Sequence, residues 1–214
     1  MKFTILIIAA YLVGSIPFAM IIAKAYGKDL RKIGSGNIGA TNLSRAVGKK
    51  WAYCCFLLDT TKGLVPMIVA SQIISSPPTT TELLLSLVVG CAAIAGHIFP
   101  IYIKFKGGKG VATSFGVAMG LWPYYTICAL IAMTCWISAV FIWRFISLAS
   151  IIAALAFPIA LTIITIFNKT WQFNNLWPLF IAAIAIPLMV IIKHRENVIR
   201  IIKGNEHKVF SKKK

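Results

Sequence analysis

Acidic side chains are scarce in this chain: five Asp and Glu stand against 22 Lys and Arg in 214 residues, a formal charge of +17 at pH 7. So few carboxylates leave no obvious general base. The five cysteines, Cys54, Cys55, Cys91, Cys128 and Cys135, form no CxxC pair and have no histidine at metal-ligand spacing. No metal site is therefore expected, and the thiols read as small buried hydrophobes. Long polar stretches are missing as well. That excludes a separate soluble domain and leaves a single integral membrane domain over 1–214. Internal repeats and heptads are absent too, so the chain does not divide into two related halves. Met1 and Lys2 followed by the apolar run Phe3 to Val13 imitate a signal peptide. No small-x-small cleavage site follows, so the run reads as the first helix.

What the chain has in excess is apolar sequence. Hydrophobic residues make up 59% of it and the mean hydropathy is +0.85, against roughly 45–50% apolar in an average soluble domain. Lipid is the solvent this composition fits. Apolar runs place spans near Thr4 to Ala25, Trp51 to Ile74, Leu83 to Ile103, Val111 to Leu121, Tyr124 to Trp143, Leu148 to Phe167 and Leu176 to Ile192. The expected fold is thus an all-α polytopic membrane protein of about seven transmembrane helices. The fourth is too short to cross a hydrocarbon core of about 30 Å at 1.5 Å per residue, and is expected to be buried by neighbours or re-entrant.

An odd number of spans puts the termini on opposite sides and assigns each loop a face. Nineteen of the 22 Lys and Arg then share one side, Lys2 and Lys169 lie on the other, and Lys62 falls within a span. Cytoplasmic loops carry the positive excess, so the N-terminus is expected outside and the C-terminus inside. This bias accounts for the charge without a nucleic-acid partner. The outer connections, Ser75 to Glu82 and Asn168 to Asn175, are short and rich in turn formers. The closing Ser211 to Lys214 reads as a solvated tail at the membrane surface, with lipid as its partner.

Three inner segments carry donor-rich patterns. The first, Lys28 to Arg45, has Gly34, Gly36 and Gly39 among Ser35, Asn37, Thr41 and Asn42. Glycines at that spacing permit close backbone approach, so several N–H groups can converge on one anion. Arg45 adds a guanidinium fork suited to phosphate oxygens. No Gly-Lys-Ser/Thr closes the loop, so it is not a Walker A motif. In the second segment Gly107, Gly108 and Gly110 surround Lys109, Lys104 supplies a further counter-charge, and a helix follows whose N-terminus favours anions. His97 reads either as a catalytic group or as a buried histidine bonding a neighbouring helix. In the third segment, His194 and Asn197 are three apart and share a helical face. Asp59 and Lys62, also three apart within the second span, are expected to pair and to support the site.

Four motifs in order, GSGNIGATN at Gly34 to Asn42, LDTTKG at Leu58 to Gly63, GHIFP at Gly96 with FKGGKG at Phe105 to Gly110, and HREN at His194 to Asn197, closely resemble the bacterial acyl-phosphate-dependent glycerol-3-phosphate acyltransferases. Those are seven-helix membrane enzymes. The resemblance spans most of the chain. It implies transfer of a fatty acyl group from acyl phosphate to the 1-hydroxyl of sn-glycerol 3-phosphate, giving lysophosphatidic acid and phosphate. It implies no cofactor, a multi-pass place in a bacterial cytoplasmic (inner) membrane and an active site on the cytoplasmic face; a monomer is expected to suffice. It further implies that Ser35, Thr41, Arg45, Lys104, Ser147, His194 and Asn197 hold substrate phosphate. Gly34, Gly36, Asn37, Gly39, Gly107, Gly108 and Lys109 complete the expected phosphate-binding set. Ser35, Arg45, Lys104, His194 and Asn197 are the expected catalytic residues, and Asp59, Lys62 and His97 the supports.

An acyl phosphate has a good leaving group, so no covalent enzyme intermediate is required. The His-x4-Asp acyltransferase signature is absent: His97, His194 and His207 are followed five positions later by Tyr102, Ile199 and Lys212. The expected mechanism has a substrate phosphate take the hydroxyl proton while Arg45, Lys104 and the loop amides stabilise charge, and His194 orients. The alternative is a membrane transporter of an organic phosphate, because intramembrane charges such as Asp59 and Lys62 also occur there. A transporter places its binding groups near the midplane, whereas these gather at one interface.

Overall fold

A computed structural model describes residues 1–209, so the expected surface tail at Ser211 to Lys214 lies outside the described residues. Among those described, every regular element is a helix. Six helical stretches are long and apolar enough to cross a membrane, with a shorter apolar helix, Val111–Gly120, in addition. Internal contacts group the chain into two compact units, Met1–Leu121 and the remainder from Trp122 onward. No polar linker marks that boundary in the sequence.

In the first unit, α1 (Lys2–Gly14) and α2 (Phe18–Ala25) are two helices where hydropathy alone reads one. Pro17 lacks an N–H and cannot extend the ladder. Ser15 Oγ turns back to the Tyr11 carbonyl at 2.8 Å. The Met20 N–H then bonds the Pro17 carbonyl rather than that of Ile16, which an unbroken helix would have used. The Ile16 carbonyl, outside the i+4 ladder, accepts from the Phe18 N–H at 3.1 Å and keeps a second lone pair for a side chain. A 3-10 turn (Leu30–Lys32) leads to the short α3 (Ala40–Val47) and then α4 (Lys49–Ser71). Helix α5 (Thr80–Ile98) starts at a capping box, where Thr79 and Glu82 each bond the other's backbone N–H, and stops ahead of Pro100. A second 3-10 turn (Ile101–Ile103) follows.

Helix α6 (Val111–Gly120) has ten residues, about 15 Å at 1.5 Å per residue, half of what a span needs. It is held by close approach to α4. A Cβ on Gly116 would lie 1.9 Å from the Thr60 carbonyl oxygen, and one on Gly63 2.2 Å from that of Thr113. Small residues at facing positions let two backbones meet, the usual device where no water drives association.

The second unit contains α7 (Tyr124–Trp143), α8 (Ile146–Phe167), α9 (Phe173–Lys193) and the amphipathic α10 (Arg195–Ile202). Several polar side chains here are tied to backbone or to each other, while the buried Thr165 hydroxyl has no hydrogen-bond partner among the described residues. The Tyr125 hydroxyl donates to the Leu179 carbonyl, and Trp136 Nε1 donates to Ser150 Oγ at 3.2 Å. Of the cysteines, Cys55 and Cys128 are buried, Cys54 and Cys135 half-buried and Cys91 exposed. The reading of all five as buried thus fails for Cys91, because an apolar run on a membrane helix marks a lipid-facing surface as readily as a core.

Candidate functional site

The first glycine-rich loop is organised by Asn42. Its side chain, 1% exposed, donates from Nδ2 to the Leu30 and Ile33 carbonyls and accepts from the Ser35 N–H at 3.1 Å. One amide thus closes the loop upon the first turn of α3 that carries Thr41. Gly34 and Gly36 take φ of 56° and 70°, a region that L side chains rarely adopt. The Arg45 guanidinium lies over Gly34, with Nη1 3.5 Å from where a Cβ would stand. Gly34, Ser35, Thr41 and Arg45 are therefore gathered by the structure, with Asn42 as the peg rather than one more ligand donor.

The second loop is tied to the first through Arg31, whose Nη2 donates to the Ile103 carbonyl at 3.3 Å. After Pro100 the chain reverses, with Lys104 and Phe105 both at positive φ, 58° and 59°. For residues with a Cβ that conformation costs roughly 1–2 kcal/mol each. It places the exposed Lys104 at a sharp corner beside Ile103. Gly107 and Gly108 are fixed from below: their N–H groups donate to the Ile98 and His97 carbonyls, both at 3.1 Å. A Cβ on Gly108 would fall 2.2 Å from His97 Nε2. Gly108 packs against the Nε2 side of the histidine ring.

His97 itself belongs to a buried charged group. Lys62 Nζ sits 2.8 Å from Asp59 Oδ1, as the i, i+3 spacing predicts, and donates at 3.0 Å to the Ile16 carbonyl freed by the break before α2. His97 Nδ1 lies 3.7 Å from the same Asp59 oxygen, and Cys55 Sγ approaches Oδ2 at 3.5 Å. Asp59 and Lys62 are each 3% exposed. This places His97 as a partner of Asp59 under the Gly107–Gly108 backbone.

One expectation changes in form. The loop N–H groups were expected to face an anion, yet those of Ser35, Gly36, Gly107 and Gly108 are directed to Asn42, Ile33, Ile98 and His97, and that of Asn37 points to Ser35 Oγ at 3.5 Å. Holding tight turns together consumes these donors. The same two loops carry the side chains of Arg45, Lys104, Lys109, Ser35 and Thr41. Gly39 caps α3 in an extended conformation.

In the second unit, His194 ends α9 and caps α10, with Nδ1 2.8 Å from the Val190 carbonyl and 3% exposure. Asn197, in the first turn of α10, donates its N–H to the His194 carbonyl. Ser147, in the first turn of α8, donates through Oγ to Glu206 Oε1 at 2.9 Å. The same oxygen accepts from Asn197 Nδ2 at 2.6 Å, and Oε2 accepts from Arg200 Nε at 2.8 Å. The structure thus joins Ser147 to Asn197 through a residue that motif reading passes over. Burial acts to raise the Glu206 carboxyl, but hydrogen bonds from Arg200, Asn197 and Ser147 and the Arg200 charge outweigh it and hold it below the usual carboxylate range. A signal existed: Glu206 is a rare acid within a basic tail, two residues after a helix-ending glycine. Among the described residues no three His, Cys, Asp or Glu side chains converge to hold a metal ion.

Residues 4–204 match the family model described as glycerol-3-phosphate acyltransferase. The chain is 39% identical over 209 residues to the glycerol-3-phosphate acyltransferase of Aquifex aeolicus, covering 97% of this chain and all of the relative. It is 43% identical over 202 residues to that of Trichlorobacter lovleyi, covering 94% and 95%. Its backbone is similar to that in the crystal structure of PlsY (YgiH), an integral membrane glycerol 3-phosphate acyltransferase, in its glycerol 3-phosphate form. The TM-score is 0.83 at 37% identity, with 98% of this chain and 96% of that one covered. The lysophosphatidic acid form of PlsY gives 0.80 at 36% identity, covering 97% and 95%.

Proposed function

The chain belongs to the glycerol-3-phosphate acyltransferase family, and from that premise we propose that its acyl donor is acyl phosphate. It acylates glycerol 3-phosphate, and its place is in a membrane, as for the PlsY structures it resembles. In the reading advanced here the 1-hydroxyl oxygen of glycerol 3-phosphate attacks the acyl carbonyl carbon. The new ester C–O bond forms as the bond from that carbon to the phosphate oxygen breaks, and phosphate leaves with the electron pair. The hydroxyl proton passes to a phosphate oxygen of one of the substrates. The products are lysophosphatidic acid and inorganic phosphate.

The observation that carries this reading is the first loop, where a buried asparagine holds Gly34 to Ser35 beneath the Arg45 guanidinium. Arg45, Lys104, Lys109, Ser35 and Thr41 in the first unit, and His194 and Asn197 in the second, serve as the phosphate-holding side chains; Ser147, whose one proton goes to Glu206, serves substrate instead by accepting from a glycerol hydroxyl. Two multiply charged phosphates repel one another in the transition state, and fixed cations offset that charge at no reorganisation cost. His194, anchored through Nδ1, orients substrate rather than removing its proton. Gly34, Gly36, Gly39, Gly107 and Gly108 shape the loops, and Asp59, Lys62 and His97 support the second one. One chain suffices, in a bacterial inner membrane with the active face cytoplasmic. The transporter alternative has no observation behind it: Asp59 and Lys62 are engaged with His97, Cys55 and Ile16.

Purified full-length protein in detergent, given glycerol 3-phosphate with either palmitoyl phosphate or palmitoyl-CoA, tests the donor; inverted and right-side-out vesicles test the face. Lysophosphatidic acid is expected from acyl phosphate alone, and in vesicles only where the cytoplasmic side meets the added substrates. Equal rates with acyl-CoA would contradict the donor assignment, and equal rates in both vesicle orientations the sidedness.

A further inference from the structure

The segment after α10 folds back as a strap. Gly204, at φ 71°, reverses the chain, and the Asn205 and Glu206 N–H groups both donate to the Arg200 carbonyl, at 2.8 and 3.1 Å. The Val209 N–H reaches the Arg144 carbonyl at 2.7 Å, and the Lys208 ammonium sits 5.5 Å from the centre of the Phe145 ring. The strap thereby lies against the turn between α7 and α8, and Glu206 enters between Ser147 and Asn197 with its side chain only 6% exposed.

Resting on the site reading above, we propose that Glu206 is a positioning residue for glycerol 3-phosphate, fixing Ser147 on α8 and Asn197 on α10 in one geometry. An ionised carboxylate only accepts hydrogen bonds, so the Ser147 O–H and one Asn197 N–H must turn toward it. That sets the direction of the Ser147 lone pairs and of the Asn197 amide plane before substrate arrives. Arg200 offsets the charge at the other carboxylate oxygen, at 2.8 Å, and is shared at 3.9 Å with Glu196 on its own helix. The competing possibility, a carboxylate that occupies a phosphate position and must leave, fits the geometry less well. Leaving would break three side-chain hydrogen bonds, while the three backbone bonds of the strap hold Glu206 in place beside Ser147 and Asn197. Preorganised side chains of this kind act on binding and orientation, since little ordering remains to be done at the moment of reaction.

The test is Glu206→Ala in the full-length purified enzyme, with KM for glycerol 3-phosphate and kcat measured separately. KM is expected to rise about tenfold or more, the size of a lost hydrogen bond to a charged group, with kcat changed less than about threefold. In a Ser147→Ala/Asn197→Ala background the same substitution is expected to add no more than about twofold, because its effect runs through those two residues. Glu206→Gln keeps the acceptor oxygen and is expected to give an intermediate KM; it carries the test if the alanine variant does not fold. An unchanged KM beside a raised one for Ser147→Ala overturns the positioning role and leaves the site standing. A lowered KM overturns it in favour of the blocking carboxylate. A fall in kcat and folded yield at constant KM overturns it in favour of a purely structural role. Silence in Ser147→Ala, Asn197→Ala and Glu206→Ala together overturns both this proposal and the site reading beneath it.

Discussion

At the scale of single residues, the buried pair of Asp59 and Lys62 shows how a charge is kept inside a membrane protein. Lys62 is satisfied by Asp59 and by the Ile16 carbonyl, and Asp59 by Lys62, His97 and Cys55. Removing one member strands the other, which for buried pairs costs about 3–5 kcal/mol. Asp59→Ala is therefore expected to shorten the thermal half-life of the detergent-purified protein sharply, while Asp59→Ala/Lys62→Met recovers most of the loss. Equal half-lives for the single and double variants would show that the pair does not matter to stability. The spacing of Asp59 and Lys62 was legible in the sequence; the role of Ile16 was not, because which donors reach a carbonyl is decided only where the helix breaks. Asn42 and Glu206 were illegible for a similar reason. Each acts on backbone or side chains distant in sequence, and nothing local in composition announces that.

At the scale of elements, hydropathy located the helices well and their interruptions poorly. Tyr124–Trp143 is found at its expected ends, while the runs Thr4 to Ala25 and Leu83 to Ile103 are each divided near Pro17 and Pro100. An apolar average does not register a missing N–H, whereas the ladder does. Both breaks serve the second loop: one frees the Ile16 carbonyl for Lys62, and the other starts the turn to Lys104. The short α6 depends on Gly63 and Gly116, where any Cβ meets backbone rather than a movable side chain. Gly116→Leu is expected to push α6 from α4, costing about 1–3 kcal/mol or more, and to reduce the yield of folded protein. Wild-type yield and thermal stability in that variant would mean that α4 and α6 do not need this approach.

At the scale of the whole molecule, the +17 charge has two explanations of different kinds. The positive-inside bias, with the loops oriented as the sequence predicts, would account for how many Lys and Arg they contain, and it is indifferent to which ones. Phosphate binding as proposed is specific to position: it assigns a role to Arg45 above Gly34 and to Lys104 at its corner, and none to the neighbouring Lys106. The measurement that separates the two is kcat/KM for glycerol 3-phosphate, at saturating acyl phosphate, in Arg45→Ala, Lys104→Ala and Lys106→Ala. Loss of a charge-assisted contact to phosphate, about 1.5–3 kcal/mol, predicts a fall of roughly 10- to 150-fold for Arg45→Ala and for Lys104→Ala, with Lys106→Ala within about twofold of wild type. Three variants that behave alike, all near wild type or all equally impaired, would contradict the account and leave the basic loops as no more than a record of which way the chain was inserted.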